Sequence, residues 1–354
     1  MSEKLRLIVS GPGLIGRKHV ALIRSSEECE LTALVGPAVP DNQALATSCG
    51  VALHGSLDIL LDQGEVDGVI VSSPNAVHFE QAMACINRRI PVLIEKPISD
   101  RLETAKILAV EAERLRVPVL VGHHRTYSPL LDSANAYMRT CDFGDLVCFQ
   151  GSALFYKPVH YFQDGPWRTR VGGGPLLINL IHEVGLWRYF CGEVSSVSAM
   201  AGNHVRGYEV EDTVAISIEF RSGVLGTFLL SDTAASSKSW EMTSGENPSY
   251  PHFSDEDCYH FAGTRGSLDF PSLRVRHYGR GVDPSWWSQF ESGRMGFVPV
   301  DPLELQLKHF VRVIQGSEKP RVSAHDGYMN MLVIEAISRS ISTRASVRLD
   351  EIAT

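Results

Sequence analysis

The six residues Gly11-Pro12-Gly13-Leu14-Ile15-Gly16 constrain this chain more than any other stretch. They follow a short aliphatic run, Leu5-Arg6-Leu7-Ile8-Val9-Ser10, and precede a helical pattern to about Ser25 with Val20, Leu22 and Ile23 on its apolar side. A GxGxxG between a strand and a helix is a phosphate-binding turn. Gly11 permits the tight turn, Gly13 lets a pyrophosphate approach the backbone, and Gly16 lets the helix pack closely on the strand. Leu14 and Ile15 open the helix, where free N–H groups and a positive dipole end meet the phosphates. The rival reading is a glycine-rich turn with no ligand.

The alternation continues. Residues 31–35 read as a second strand, 41–48 as a helix, and 51–53 as a short third strand, with Ser56 capping the next helix. A fourth strand at 69–71 ends in Ser72-Ser73-Pro74-Asn75, and Asn75 caps a helix over 76–88. The fifth strand runs through Val92-Leu93-Ile94 into Glu95-Lys96-Pro97. A buried strand that presents two charges at its carboxyl end does so where open α/β sheets bind ligands, unless it simply reaches solvent there. Asp100-Arg101-Leu102-Glu103 has the form of a capping box ahead of a helix to about Arg116. A sixth strand at 119–121 ends in Gly122-His123-His124-Arg125. Strands and helices at this spacing make a doubly wound parallel sheet, an N-terminal Rossmann domain over residues 1–125.

After about residue 143 the pattern changes. Strands are expected at 146–156, 194–201, 214–220 and 224–230, the last two joined by a hairpin at Arg221-Ser222-Gly223. One clear helix spans 175–189, and 236–257 reads as a polar excursion loop. Helices follow at 303–314 and 329–344, the latter packing back on the first domain. Residues 126–354 are thus an α+β substrate-binding and oligomerisation domain around a large, mainly antiparallel sheet.

At 354 residues the chain is long enough for two domains. Its net charge is −8, from 33 basic and 41 acidic residues, with no basic stripe, so nucleic acid is not an expected partner. Seven cysteines form no CxxC pair, which fits buried thiols in a reducing compartment better than a disulfide framework or a zinc site. A strand-like run beginning at Leu5 leaves no room for a signal peptide, and no apolar run approaches the ~20 residues of a membrane span. The expectation is a cytoplasmic protein without a metal site.

In NAD-binding sheets an acid at the end of strand two holds the ribose hydroxyls. Here that end reads Val35-Gly36-Pro37-Ala38, and Asp41 is the nearest carboxylate. No Arg or Lys stands between Gly36 and Ser48 to meet a 2′-phosphate. A 2′-phosphate without a counter-charge is the costlier arrangement, so NAD is favoured and NADP stays open. Ser72, Ser73, Pro74 and Asn75 lie at a strand end beside this site. His78 either reaches the cleft or sits on the helix surface. His123, His124 and Arg125 lie at another strand end. Further on, Tyr156, Lys157 and Tyr161 are polar groups near one strand end. Trp167 and Arg168 either wall a nicotinamide pocket or anchor a loop. Gly172-Gly173-Gly174-Pro175 then launches a helix that carries Asn179 and His182 at i and i+3, on one face. Glu183 is on another face and reads as structural. A His among Leu and Ile is more often a satisfied core residue than a functional one; an Asn one turn earlier, able to fix its tautomer, shifts that balance.

Taken together, GPGLIG at 11–16, SSPNAVH at 72–78, IEKP at 94–97, VGHHR at 121–125 and GGGPLLINLIH at 172–182 resemble, in that order, the Gfo/Idh/MocA oxidoreductases. The resemblance covers nearly the whole chain. It implies an NAD(P)-dependent dehydrogenase or reductase of sugars, inositols or related polyols, commonly a homodimer or homotetramer. It makes Lys96 the catalytic lysine and His182 the catalytic histidine. Many members carry an Asp on the first turn of this helix; Asn179 stands nearby and can orient a partner but cannot share charge or a proton. In oxidation His182 takes the hydroxyl proton, an imidazole titrating at about 6.5 being suited to that task. Lys96, as ammonium, stabilises charge on the same oxygen. The cofactor would be held by the glycine turn, by Ser72, Ser73, Pro74, Asn75, His78, Glu95, Lys96 and His124, and by Trp167 and Arg168. The substrate would meet Lys96, His123, Arg125, Tyr156, Tyr161, Asn179 and His182. Two alternatives stand beside this: a dehydrogenase of a non-sugar cyclic diol of the cis-dihydrodiol type, and a ligand-sensing regulator that binds dinucleotide without catalysis.

Overall fold

The computed structural model of the chain describes residues 3–64 and 66–352. By its internal contacts the chain falls into two units: Met1–Tyr127 with Asp301–Met331, and Ser128–Val300 with Leu332–Thr354.

The first unit opens as β1 (Leu5–Ser10), α1 (Leu14–Ser25), β2 (Cys29–Val35), α2 (Pro40–Cys49), β3 (Ala52–His54), α3 (Leu57–Asp62) and β4 (Gly68–Val71). It continues as α4 (His78–Asn87), β5 (Val92–Glu95), α5 (Leu102–Leu115) and β6 (Val119–Gly122). Among the described residues its six strands lie in the order β3-β2-β1-β4-β5-β6, and every pair is parallel. β4, β5 and β6 are buried along their whole length. That is why they read as continuous Val/Ile/Leu runs rather than as alternation. The winding reverses between β1 and β4, and ligands bind outside the carboxyl ends of the strands at such a switch point.

Two helix starts differ from expectation. α5 is capped by Arg101 without a side-chain bond, so the capping box at 100–103 does not form. Instead the Ser99 and Thr104 hydroxyls pair at 2.6 Å, and Thr104 Oγ1 donates to the Arg101 carbonyl. Asn75 does not cap α4 either. It opens a single 3₁₀ turn, Asn75–Val77, before the α-helix begins at His78. Ser56 does stand at the N-cap of α3, but its hydroxyl makes no capping bond.

The second unit contains α6 (Pro129–Met138), β7 (Leu146–Leu154), α7 (Val159–Gln163), α8 (Ile181–Cys191), β8 (Val194–Gly202), β9 (Thr213–Phe220) and β10 (Leu225–Ser231). After these come α9 (Trp240–Thr243), β11 (Tyr259–Gly263), β12 (Gly266–Phe270), β13 (Arg274–Tyr278) and β14 (Phe290–Arg294). Among the described residues the sheet has nine strands in the order β14-β13-β12-β11-β7-β10-β9-β8-β15, where β15 is Val347–Arg348. Only β7 with β10 is parallel; the other pairs are antiparallel. One face packs on α8 through an aromatic cluster in which Phe149 lies 6.2 Å from Trp187 and 5.8 Å from Phe261. Five of the nine strands were not expected. They are short, and runs such as Arg274-Val275-Arg276-His277-Tyr278 give little apolar signal. The segment 236–257 is not a free excursion: Trp240 is buried against Phe270 at 5.6 Å, and its indole N–H donates to Glu246 at 3.1 Å.

Two more helices complete the chain, α10 (Pro302–Ile314) and α11 (Ala324–Thr343). The boundary expected at 125, with all of 126–354 in the second domain, is corrected here, because residues 301–331 belong to the first unit. The reason is the apolar face of α10. Leu307, Phe310 and Val311 join Leu7, Val9, Ile70, Leu93 and Leu120 in one core.

Candidate functional site

β1 ends at the glycine turn, and the turn is shaped by what a side chain would hit. Gly11 has φ +90, and a Cβ there would run into the backbone of Ser73. At Gly16 it would meet the Gly11 carbonyl, and the Ser72 hydroxyl at 2.7 Å. Gly13 is the opposite case: it is exposed, and a Cβ would find nothing within 4 Å. Gly11 and Gly16 are therefore glycines for internal packing, and Gly13 is a glycine that keeps space open. Gly13 caps α1 without any side-chain bond, and the first turn of α1 holds no acid. Leu14 is 86% exposed and Ile15 half-buried. Open backbone at the N-terminus of a carboxylate-free helix suits a pyrophosphate.

The neighbouring strand ends brace this turn. Ser72 Oγ donates to the carbonyls of Ser10 at 3.0 Å and Gly11 at 2.8 Å. Ser73 and Ser10 both donate to Gln81 Oε1, at 2.8 and 3.0 Å. Both serine side chains thus hold β4 to β1 rather than reaching outward. His78 is buried and is not a helix-surface residue; its Nδ1 lies 2.8 Å from the Pro97 carbonyl and its Nε2 2.8 Å from that of Ser73. Burial keeps its pKa low, against the raising effect of those two carbonyls. A neutral ring can donate to only one of them. His78 is a staple between the ends of β4 and β5.

Glu95, the last residue of β5, is buried and pairs with His19 Nε2 of α1 at 2.9 Å. Burial alone would raise its pKa, but the His19 bond and charge outweigh that and hold the carboxyl below its usual value. Gly122 makes the room, since a Cβ there would come within 2.9 Å of the Glu95 carboxyl. Glu95 therefore ties the helix of the glycine turn to the strand that delivers Lys96, which is half-buried directly after it. His124 is partly exposed, yet burial, opposed by the Glu95 charge, pushes its pKa down to about 4, so its ring is neutral at pH 7. His123 is buried, with Nε2 3.1 Å from Asn330 Nδ2 of α11, and Arg125 is buried beside it. Neither was placed in the interior from sequence.

In the second unit the cluster centres on Lys157. Its ammonium donates to Asn179 Oδ1 at 2.7 Å and lies 3.6 Å from Asp232 at the end of β10. Tyr161 and Phe155 present their rings to it at 5.0 and 5.5 Å. Burial pulls the lysine pKa down to about 8, against the raising effect of Asp232. Arg206 shares Asp232 at 2.8 Å and lies 5.3 Å from the ring of the exposed Tyr156. Arg168 donates to the Tyr161 carbonyl and stacks on the Tyr161 ring at 4.0 Å, while Trp167 beside it is half-exposed.

The glycine-led helix begins as one π turn, Leu176–Leu180, and becomes the α-helix α8 at Ile181. Single π turns recur at functional sites. Asn179 sits in the π turn, so its relation to His182 is not that of a regular i, i+3 pair. Its side-chain oxygen is given to Lys157. His182 is buried in the first turn of α8. Glu211 fixes the start of this helix, accepting from the Leu176 N–H at 2.9 Å, and Gly174 (φ +79) leaves it space. Glu183 is structural: it accepts from the Tyr259 hydroxyl at 2.5 Å, and that hydroxyl also receives the Trp187 N–H at 3.1 Å. His19, Gln81, Glu211, Asp232 and Arg206 were not singled out from sequence. His19, Glu211, Asp232 and Arg206 find these partners 26 or more positions away, and Gln81 joins Ser73, 8 positions away, to Ser10, 71 positions away, so no local motif marks them.

Residues 5–123 match the family described as "Oxidoreductase family, NAD-binding Rossmann fold", and residues 133–269 match the GFO/IDH/MocA C-terminal domain. Scyllo-inositol 2-dehydrogenase (NAD(+)) of Bacillus subtilis (strain 168) is 25% identical over 368 residues, covering 99% of this chain and 98% of that protein. The rhizopine catabolism protein MocA of Rhizobium meliloti is 28% identical over 193 residues, 54% of this chain and 58% of that protein. The chain thus spans little more than half the length of this second relative. Among solved structures, the WlbA dehydrogenase from Bordetella pertussis in complex with NADH and UDP-GlcNAcA superposes with a TM-score of 0.77 at 21% identity, covering 98% of this chain and 99% of that one. At that identity the likeness is one of fold.

Proposed function

Since the chain belongs to the Gfo/Idh/MocA oxidoreductase family, we propose that it is an NAD(P)-dependent dehydrogenase or reductase acting on a secondary alcohol or ketone of a sugar, inositol or related polyol. The observation that carries this is the glycine turn at the switch point of the parallel sheet. Gly13 keeps open backbone there, and α1 brings no carboxylate to its own N-terminus. A dinucleotide bound at this turn supplies the hydride acceptor or donor.

The chain's own residues do the rest. Lys96, carried by the strand end that Glu95 and His19 brace, donates to the substrate oxygen and stabilises charge on it. His182 accepts the hydroxyl proton in oxidation and returns it in reduction. Lys157 holds the Asn179 amide by its oxygen, which leaves the amide N–H groups as donors for a substrate hydroxyl or carbonyl. Tyr156 and Trp167 offer exposed ring faces of the kind on which sugars pack. The similarity to an inositol dehydrogenase along nearly the whole chain supports the polyol class. Assembly as a homodimer or homotetramer is supported by the open sheet face, where Met200, Leu225 and Leu229 are exposed.

A screen of polyols and sugars with NAD+ and NADP+, following nicotinamide reduction, tests the reaction class. Lys96→Ala is expected to lower kcat by about 10²-fold or more, with dinucleotide binding retained. Undiminished turnover in that variant would remove Lys96 from the chemistry. Failure of the wild-type protein to bind either dinucleotide would remove the reading altogether.

A further inference from the structure

The end of β2 is where a Rossmann sheet distinguishes the two nicotinamide dinucleotides. An acid there holds the ribose hydroxyls, whereas a nearby Arg accommodates a 2′-phosphate. Val35-Gly36-Pro37-Ala38 supplies no acid. A side chain at Gly36 would meet the Pro12 ring at 2.8 Å, so the turn is not shaped to carry one.

A cation arrives at this place from another element. Arg17 of α1, directly after Gly16, donates from Nη2 to the Asp41 carbonyl at 3.2 Å and to Asn42 Oδ1 at 3.5 Å. Both acceptors lie at the start of α2. Asn42 is buried and fixed in turn, its Nδ2 donating to the Pro37 carbonyl at 3.0 Å. The guanidinium is therefore held against the β2–α2 turn by neutral acceptors. Among the described residues no carboxylate pairs with it; even Asp41 meets it through its carbonyl. A half-exposed guanidinium with donors to spare and no counter-ion matches a phosphate in charge and in geometry.

We propose that Arg17 reads the adenosine 2′-phosphate and that the cofactor is NADP(H). The inference rests on the dinucleotide reading above. It also removes the ground on which NAD was favoured from sequence. The missing counter-charge was sought between Gly36 and Ser48, and the fold supplies it from α1.

Titration calorimetry with NAD+, NADP+, 5′-AMP and 2′,5′-ADP tests it without any substrate. NADP+ should bind about tenfold or more tighter than NAD+, and 2′,5′-ADP tighter than 5′-AMP by a similar factor, as a charge-assisted bond to phosphate warrants. Arg17→Ala and Arg17→Gln should remove both preferences while leaving NAD+ affinity within about twofold of wild type. The preference is a ratio within one sample, so a partly unfolded variant does not imitate its loss. NAD+ bound as tightly as NADP+ by the wild type, or a preference that survives both substitutions, would overturn the proposal and leave the oxidoreductase reading standing. Absence of binding to either dinucleotide would overturn both.

Discussion

Gly13→Ala separates a ligand-binding turn from a merely tight one. Gly13 has φ −79 and ψ −160, which any residue adopts, and a Cβ there meets nothing within 4 Å. The folded protein should therefore barely notice it. Ala is a poorer N-cap than Gly by about 0.5–1 kcal/mol, and the gain from a stiffer unfolded chain is about 0.4–1 kcal/mol, so the two nearly cancel. A pyrophosphate approaching that backbone should notice it strongly, because the methyl group fills the space it needs. The assay is thermal unfolding with and without dinucleotide at a fixed concentration. At 100 times Kd a bound ligand stabilises by about 2.7 kcal/mol; a tenfold weaker Kd leaves about 1.4 kcal/mol. Apo Gly13→Ala should melt within about 2 °C of wild type, while its ligand-induced shift falls to half or less. Gly16→Ala is the contrast. Its Cβ would collide with a backbone carbonyl that cannot move aside, so the apo protein itself should lose about 1–3 kcal/mol. If Gly13→Ala keeps the full ligand-induced shift, the open backbone at Gly13 is not where phosphate binds, and the turn is only a turn.

Two further substitutions test the braces of the candidate site. Glu95→Gln should destabilise the protein at pH 7 by about 2 kcal/mol or more, since it breaks a buried charge-assisted pair with His19. Because the folded carboxyl titrates below its usual 4.5, its contribution is present above that pH and is lost as pH falls through the folded value. The gap between wild type and variant in urea unfolding should hold from neutral pH down to about 4.5 and close only below it. Lys157→Met should act the other way. A lysine held at about 8 instead of 10.5 costs the fold roughly 3 kcal/mol below pH 8, so the variant should be more stable at pH 7. The gain should shrink as pH rises from 8 to 10.5, and turnover should fall; a variant no more stable at pH 7 would refute that cost.

The sheet of the first unit was legible chiefly where its strands are buried on both faces. β4, β5 and β6 are unbroken aliphatic runs, and each is cut off by glycine, serine or charge where it leaves the core. The glycine turn was legible for the same reason, since its spacing is local. What escaped was whatever depends on pairing across the chain. One local expectation failed as well: the capping box at 100–103 lost to another local pair, the Ser99 and Thr104 hydroxyls. His78 looked like a cleft or surface residue, because nothing in its neighbourhood announces carbonyls from Ser73 and Pro97 on either side of the ring. Strands β11 to β13 were missed because their less buried positions carry Arg, His or Asp, and β14 because all five of its residues are exposed. α10 was found as a helix and assigned to the wrong unit: its apolar face shows that it packs, but not on which core.

Asn179 shows how such long-range pairing alters a chemical conclusion. From sequence, its value lay in standing one turn before His182, where it would orient the imidazole. The structure gives its oxygen to Lys157 instead and places it in a π turn. An amide whose oxygen accepts from an ammonium can only donate with its other end. The position therefore presents N–H groups where a carboxylate would have presented an acceptor, and the positive charge that stabilises this arrangement is an otherwise costly buried lysine. Burial of Lys157 at a cost to stability is what a site maintained for function predicts. It is not what a solvated surface pair would show, because such a pair contributes little and costs little. The departure at 179 is thus one half of a Lys–Asn unit, and its other half, 22 residues earlier, was visible in the sequence only as one of three polar groups near a strand end.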